Sequence, residues 1–210
     1  MVQYDNDQPA GTLWYHDHTL GMTRVNVYAG PAGFYLLRGG AFDTPPGALP
    51  GPAPALGDAA GTRYYEIPLA IQDRSFRVDG SLFYPDSRAF FDGFEGPYIP
   101  HSDVSPIWNP EFFGNAMLVN GNTWPALAVE PRRYRFRMLN GCNGRFLILK
   151  LVPGNPEARP GTPVLQFVQI GAEGGFLPQP VALDQLLMGP AERADVIVDF
   201  TPCRRAPRCS

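Results

Sequence analysis

The stretch that most constrains the fold is Arg133 to Met138, RYRFRM, where Tyr134, Phe136 and Met138 alternate strictly with Arg133, Arg135 and Arg137. Side chains in a β-strand point to opposite faces at successive residues, so this pattern reads as a strand with one apolar side and one charged side. A helix would scatter the same residues around its circumference. The expected arrangement is an antiparallel strand with its aromatic face in the core and its arginine face in water. The remainder agrees in period. In Arg63 to Phe76, the residues Tyr65, Ile67, Leu69 and Ile71 share a face. Asp79-Gly80 is a hairpin-type turn signal before Ser81 to Tyr84, and Asn140-Gly141 ends the arginine strand as a turn. Short apolar runs at Arg145 to Val152, Val164 to Ile170, Val181 to Leu187 and Ala194 to Phe200 follow. With 24 Pro and 23 Gly in 210 residues, long helices are disfavoured and turns frequent. The fold class expected is all-β, a sandwich of short strands.

The N-terminal part is organised differently. Gly11 to His18 and Gly33 to Arg38 read as strands, and Leu20, Thr23 and Val27 between them suggest a short turn of helix at most. Two strands and a turn cannot bury a face alone, so they must pack on something else. From Gly39 to Gly61 the composition shifts to Pro, Gly and Ala, as in a semi-extended linker. After Phe200 the tail TPCRRAPRCS loses the apolar pattern, as a shifted reading frame or truncated gene would produce. A net charge of −3 gives no reason to expect nucleic acid or an anionic membrane as a partner. There is neither a run of the ~18 apolar residues that a membrane helix needs nor a signal-peptide pattern. Cys142, Cys203 and Cys209 specify neither a disulfide framework nor a zinc knuckle.

Chemistry concentrates in GTLWYHDH, residues 11 to 18. In an extended strand His16 and His18 point the same way, with Trp14 on their face and Leu13, Tyr15 and Asp17 opposite. Neutral imidazole suits copper, zinc, iron or nickel, although the same pair could merely satisfy local hydrogen bonds. Two ligands fall short of the three or so that a catalytic metal needs. The third histidine, His101, lies in a Pro-rich loop and reads as a surface or capping residue. A cupin-type site would place a Glu just after the pair, but the next such carboxylate is Glu66, beyond the linker. A zinc hydrolase would need further ordered ligands, and no Ser or Cys sits in a nucleophile elbow.

The segment GTLWYHDHTLGMTRVNVYAGPAGFYLLR resembles the second copper-ligand motif of the three-domain multicopper oxidases, in the branch with bacterial spore-coat laccases, phenoxazinone synthases and bilirubin oxidases. IPLAIQDRSFRVDGSLFYP, NAMLVNGNTWPALAVEPRRYRFRMLNGCNGRF and IGAEGGFLPQPVALDQLLMGPAERADVIVDF resemble successive blocks of that branch's second cupredoxin domain. The resemblance implies a cupredoxin-like Greek-key β-sandwich preceded by part of another cupredoxin domain. Residues 1–39 would be the end of domain 1 with the type 3 copper motif, 40–62 a linker, 63–200 a copper-free domain 2, and 201–210 an irregular tail. It implies that His16 and His18 each bind a different copper of the type 3 pair. A full-length protein would hold type 1, type 2 and type 3 coppers and pass electrons to dioxygen. The reductant would be phenolic, an aminophenol, a bilirubin-like pigment or a metal ion. No His-Cys-His, His-Pro-x-His or first His-Trp-His motif is present, and none of the three cysteines has a neighbouring histidine. The chain alone is therefore expected to be inactive and to bind copper weakly. The alternative is a non-catalytic cupredoxin-like domain with a vestigial histidine pair.

Overall fold

The computed structural model describes residues 3–85, 111–154 and 161–205. The order is β1 (Gly11–His16), α1 (Thr23–Ala29), β2 (Ala32–Leu37), β3 (Glu66–Arg74), β4 (Ala116–Val119), β5 (Asn122–Thr123), β6 (Arg133–Asn140), β7 (Leu147–Leu149), β8 (Phe167–Ala172), β9 (Gly175–Leu183), β10 (Leu186–Met188) and β11 (Arg193–Asp199), with a 3-10 turn at Thr201–Arg205. The all-β reading holds. Among the described residues no helix is long and apolar enough to cross a membrane.

Seven strands form one sheet in the order β5-β4-β3-β6-β11-β8-β9. All neighbours are antiparallel except β3 and β6, which run parallel with Glu66 opposite Arg135 and Ile71 opposite Asn140. This corrects the purely antiparallel expectation. A parallel neighbour requires a long crossover, and the chain between Arg74 and Arg133 supplies it while β4 returns to the other side of β3. Such a crossover is what a Greek key demands. The edge strand β9 carries Pro178 and Pro180, which cannot donate to a ladder and are tolerated where one side of the strand has no neighbour.

The aromatic face of β6 behaves as its period requires. Tyr134, Phe136 and Met138 join Val196 and Val198 of β11, Phe167 of β8 and Ile71 of β3 in one buried cluster. The short β7–β10 ladder closes over this face with Leu147, Leu186 and Met188, each under a tenth exposed. Tyr65, Ile67 and Leu69 pack against the same cluster beside Ile71, as their spacing indicates.

The arginine face does not behave as expected. Arg135 and Arg137 are each only 3% exposed. The expectation of a wet face fails because the β1–β2 hairpin lies over it. The Arg137 guanidinium donates to Thr12 Oγ1 at 3.0 Å and to Glu66 Oε1 at 2.7 Å. Arg135 forms a fork on Asp195, with Nε to Oδ1 at 2.8 Å and Nη2 to Oδ2 at 2.5 Å. Arg38, just after β2, donates to both Glu66 oxygens at 3.0 and 2.9 Å. Burial pushes the Glu66 carboxyl up, but Arg38, Arg137 and Arg135 outweigh it and hold the group below its ordinary range. A buried carboxylate is tolerable only when so paired.

Hairpin and sheet also meet backbone to backbone. A Cβ on Gly11 would stand 3.3 Å from the Gly175 backbone, and one on Gly175 would stand 3.1 Å from the Ala10 carbonyl. Gly175, at φ +134, adopts a conformation that side chains disfavour. Residues 39–65 carry turns and bends, and the main chain re-enters the sheet where Tyr65 and Glu66 donate to the Pro52 carbonyl.

Candidate metal-ligand pair on the β1 turn

β1 and β2 pair antiparallel from Gly11 opposite Leu37 to His16 opposite Ala32. His16 is therefore the last ladder residue of β1, and the strand stops two residues short of the expected end at His18. The reason is Asp17. Its Oδ2 accepts from Thr19 N at 3.0 Å and its Oδ1 from Thr19 Oγ1 at 2.8 Å, an Asx-type turn that offers the backbone an alternative to the ladder. Oδ2 also accepts from Asn26 Nδ2 of α1 at 3.0 Å. The Asn26 amide, and then the Thr19 donors, hold the Asp17 carboxyl below its usual range.

The two imidazoles nevertheless stand together. The rings of His16 and His18 lie 5.8 Å apart between centroids at 25° between planes, and the Trp14 ring lies 4.4 Å from that of His16. His16 is half-buried and His18 exposed. His16 Nδ1 is 2.6 Å from the Asp17 carbonyl oxygen. A carbonyl oxygen can only accept, so in the neutral ring Nδ1 carries the proton and Nε2 keeps its lone pair. That is the donor form a metal requires, with the opposite ring nitrogen fixed by a hydrogen bond. The pair thus fits two ligand positions of a borderline-soft metal such as copper. Tyr15, on the far face, lies across Gly33, where any Cβ would meet its hydroxyl at 2.7 Å.

The turn is tied to the sheet through α1. Arg24 Nε donates to Asn143 Oδ1 at 3.1 Å, and Asn143 N donates to the buried Asp73 at 3.0 Å. The Tyr28 hydroxyl donates to the Phe83 carbonyl at 2.7 Å and accepts from Ser75 N at 2.9 Å. The Arg74 guanidinium sits 4.7 Å over the Tyr28 ring. Sequence reasoning placed Asp17 only on the face opposite the histidines and gave Thr19 and Asn26 no part. An Asp followed two residues later by Thr was the available signal.

Among the described residues no group of three or more His, Cys, Asp or Glu is gathered in a way that could hold a metal. His101 and Cys209 lie outside the described residues. Cys142 is buried and free, and burial pushes its thiol up to about 12, which makes it inert. Cys203 is disulfide-bonded, a pairing that the cysteine spacing does not announce.

No protein-family profile matches the chain. It is 44% identical to a laccase of Bacillus stratosphericus over 96% of this chain and 34% of that protein. It is 37% identical to multicopper oxidase LPR1 of Arabidopsis thaliana over 95% of this chain and 29% of that protein. The structure superposes on the McoA multicopper oxidase of Aquifex aeolicus with a TM-score of 0.67 at 31% identity, covering 93% of this chain and 35% of that one. The chain spans about a third of the length of the curated relatives it matches. The Greek-key sandwich is thus cupredoxin-like, and in sequence and fold together the chain is similar to about a third of a multicopper oxidase.

Proposed function

We propose that this chain supplies His16 and His18 as two copper ligands of a laccase-like multicopper oxidase, one that couples one-electron oxidation of a reductant to the reduction of dioxygen to water. The observation that carries the reading is the donor geometry: stacked imidazoles, with His16 Nδ1 fixed on the Asp17 carbonyl and Nε2 left as the ligand. Bound copper would supply the single-electron redox steps that protein side chains alone do not. The chain's own contribution is to fix the two imidazoles, wall one side of His16 with Trp14, and seat the pair on a rigid sheet. Residues 1–39 form the ligand-bearing unit, and residues 63–200 serve as a copper-free connecting sandwich. The reductant class is phenols, aminophenols, bilirubin-like pigments or metal ions.

Two ligands do not complete a redox site. The purified 210-residue chain is therefore expected to bind Cu(I) weakly through His16 and His18 and to consume no dioxygen with a methoxyphenol. Loss of Cu(I) binding in His16→Gln and His18→Gln supports the reading. Sustained phenol-dependent oxygen uptake by the chain overturns the expected inactivity. Equal copper uptake by wild type and the double variant overturns the ligand assignment. It would favour instead a non-catalytic cupredoxin-like module with a vestigial pair, a reading that the lack of a third ligand among the described residues also serves.

A further inference from the structure

We infer that Asp17 is the positioning residue of the histidine pair, setting the tautomer of His16 and the spacing of the two rings through one locked turn. The inference rests on the metal-ligand reading for its purpose but not for its geometry. Asp17 acts at both ends of itself. Its main-chain carbonyl accepts a hydrogen bond from His16 Nδ1 at 2.6 Å. Its carboxylate takes three donors, Thr19 N at 3.0 Å, Thr19 Oγ1 at 2.8 Å and Asn26 Nδ2 at 3.0 Å. The first contact depends on the others. The carbonyl of residue 17 faces His16 only while the backbone at 17 holds its turn, and the carboxylate holds it there.

The same turn decides where His18 goes. Strand geometry would carry the chain straight on from His16, but the Asx-type turn ends the ladder and brings the His18 ring over His16 at 25° between planes. Asn26 then refers the turn to the body of the protein. Its helix is fixed by Arg24 on Asn143, which is fixed on the buried Asp73, and by Arg74 Nη2 donating to the Val27 carbonyl at 3.3 Å. A ligand pair on an exposed turn is thereby indexed to a buried sheet, as a preorganised site requires.

The chemistry of the side chain separates this role from mere structure. An Asn at position 17 keeps one oxygen where Oδ2 accepts from Thr19 N and Asn26. Its NH₂ would face Thr19 Oγ1, which can turn and accept. An Ala keeps the carbonyl of residue 17 but loses every contact that aims it. Asp17→Asn should therefore rescue what Asp17→Ala loses.

The test uses the purified 210-residue chain and the variants Asp17→Ala, Asp17→Asn and Asn26→Ala. Long-range ¹H–¹⁵N NMR of the histidine rings at alkaline pH, where imidazole is neutral, reads the tautomer without metal. His16 is identified by its loss in His16→Gln. Cu(I) affinity is read by competition with a chromophoric chelator. Wild type and Asp17→Asn should show a His16 ring locked with the proton on Nδ1. Asp17→Ala should lose that lock and bind Cu(I) on the order of 10-fold more weakly, as loss of a partner that orients a metal-bound histidine does. Asn26→Ala should fall between them, and it decides the matter if Asp17→Ala does not fold. A His16 tautomer unchanged in Asp17→Ala, or in Asn26→Ala where that variant stands in, overturns the inference. A tautomer that responds while wild type binds no Cu(I) upholds the positioning role and overturns the metal reading alone.

Discussion

The two ends of strand β1 face opposite physical tasks. At Thr12, 1% exposed, the strand is sunk against a seam of buried charge made by Glu66, Arg135, Arg137 and Asp195. Four residues on, at His16, it emerges half-buried into a polar turn, and His18 is exposed. The buried end cannot change partners without leaving a charge unpaired in low dielectric, so it fixes register. The open end can present lone pairs to something outside the chain. One six-residue strand is thus an anchor at one end and a presenter at the other, and the anchor is what makes the presentation rigid.

The anchor is tested most severely at Glu66. Its carboxylate meets Arg137 at 2.7 Å, Arg38 at 2.9 Å and Arg135 at 3.8 Å. Glu66→Ala strands two buried guanidinium groups with Asp195 as their remaining carboxylate. The expected loss is about 3–5 kcal/mol of unfolding free energy, the scale for breaking a buried pair by removing one partner. Urea unfolding measures it. A loss within the ~0.5 kcal/mol typical of surface substitutions would show that the seam does not hold the hairpin.

The same residue predicts an acid response of smaller size. Its native carboxyl is held below the unfolded value, so the unfolded state binds the proton more readily. The stabilisation is fully present above the unfolded pKa of about 4.3 and disappears as pH falls through the lower native value. Asp199 and Asp79, also held low by local hydrogen bonds, give wild type and variant a common background. Urea midpoints between about pH 6 and pH 3 should fall more steeply in wild type than in Glu66→Gln. Parallel curves would assign the acid sensitivity elsewhere.

The contrast also explains how far the sequence could be read. Period two placed β6 and the apolar face of β3 because alternation is local, and the residues themselves carry it. Alternation says nothing of what covers each face. Arg135 and Arg137 looked like a solvated row because their cover is a distant hairpin, with Thr12 and Arg137 125 positions apart. The parallel pairing of β3 with β6 was hidden for the same reason, since no local pattern records which distant strand becomes a neighbour. At the presenting end the histidines were legible from their spacing. The turn that orients them was not, because Asp17 had been placed only by strand alternation on the opposite face.

If the division of labour along β1 is right, the presenting end should be nearly neutral for stability. The His16 ring meets Trp14 and His18, and among the described residues the hydrogen bond of its ring is to its neighbour's carbonyl. The double variant His16→Gln, His18→Gln is expected to shift unfolding free energy by under about 1 kcal/mol while removing Cu(I) binding. A loss comparable to that of Glu66→Ala would mean that the pair is part of the anchor, and the distinction between the ends would fall.

The smallest effect is expected at Arg133, and it sharpens the comparison inside a single strand. Arg133 belongs to the same alternating row as Arg135 and Arg137, but the hairpin does not reach it. Its Nε donates to Asp199 Oδ2 at 3.1 Å with side-chain exposures of 72% and 41% for the two partners. Water screens such a pair, and holding two long side chains together costs entropy. Arg133→Ala should change stability by about 0.5 kcal/mol or less. Arg137→Ala, four positions on, removes a buried donor from both Glu66 and Thr12 and should cost several times as much. Measured side by side by urea unfolding, a large ratio between the two attributes the seam's strength to the cover that the hairpin provides. A ratio near one would return both arginines to the status of an ordinary charged face, since identical residues in one strand can differ this much only through what lies on top of them.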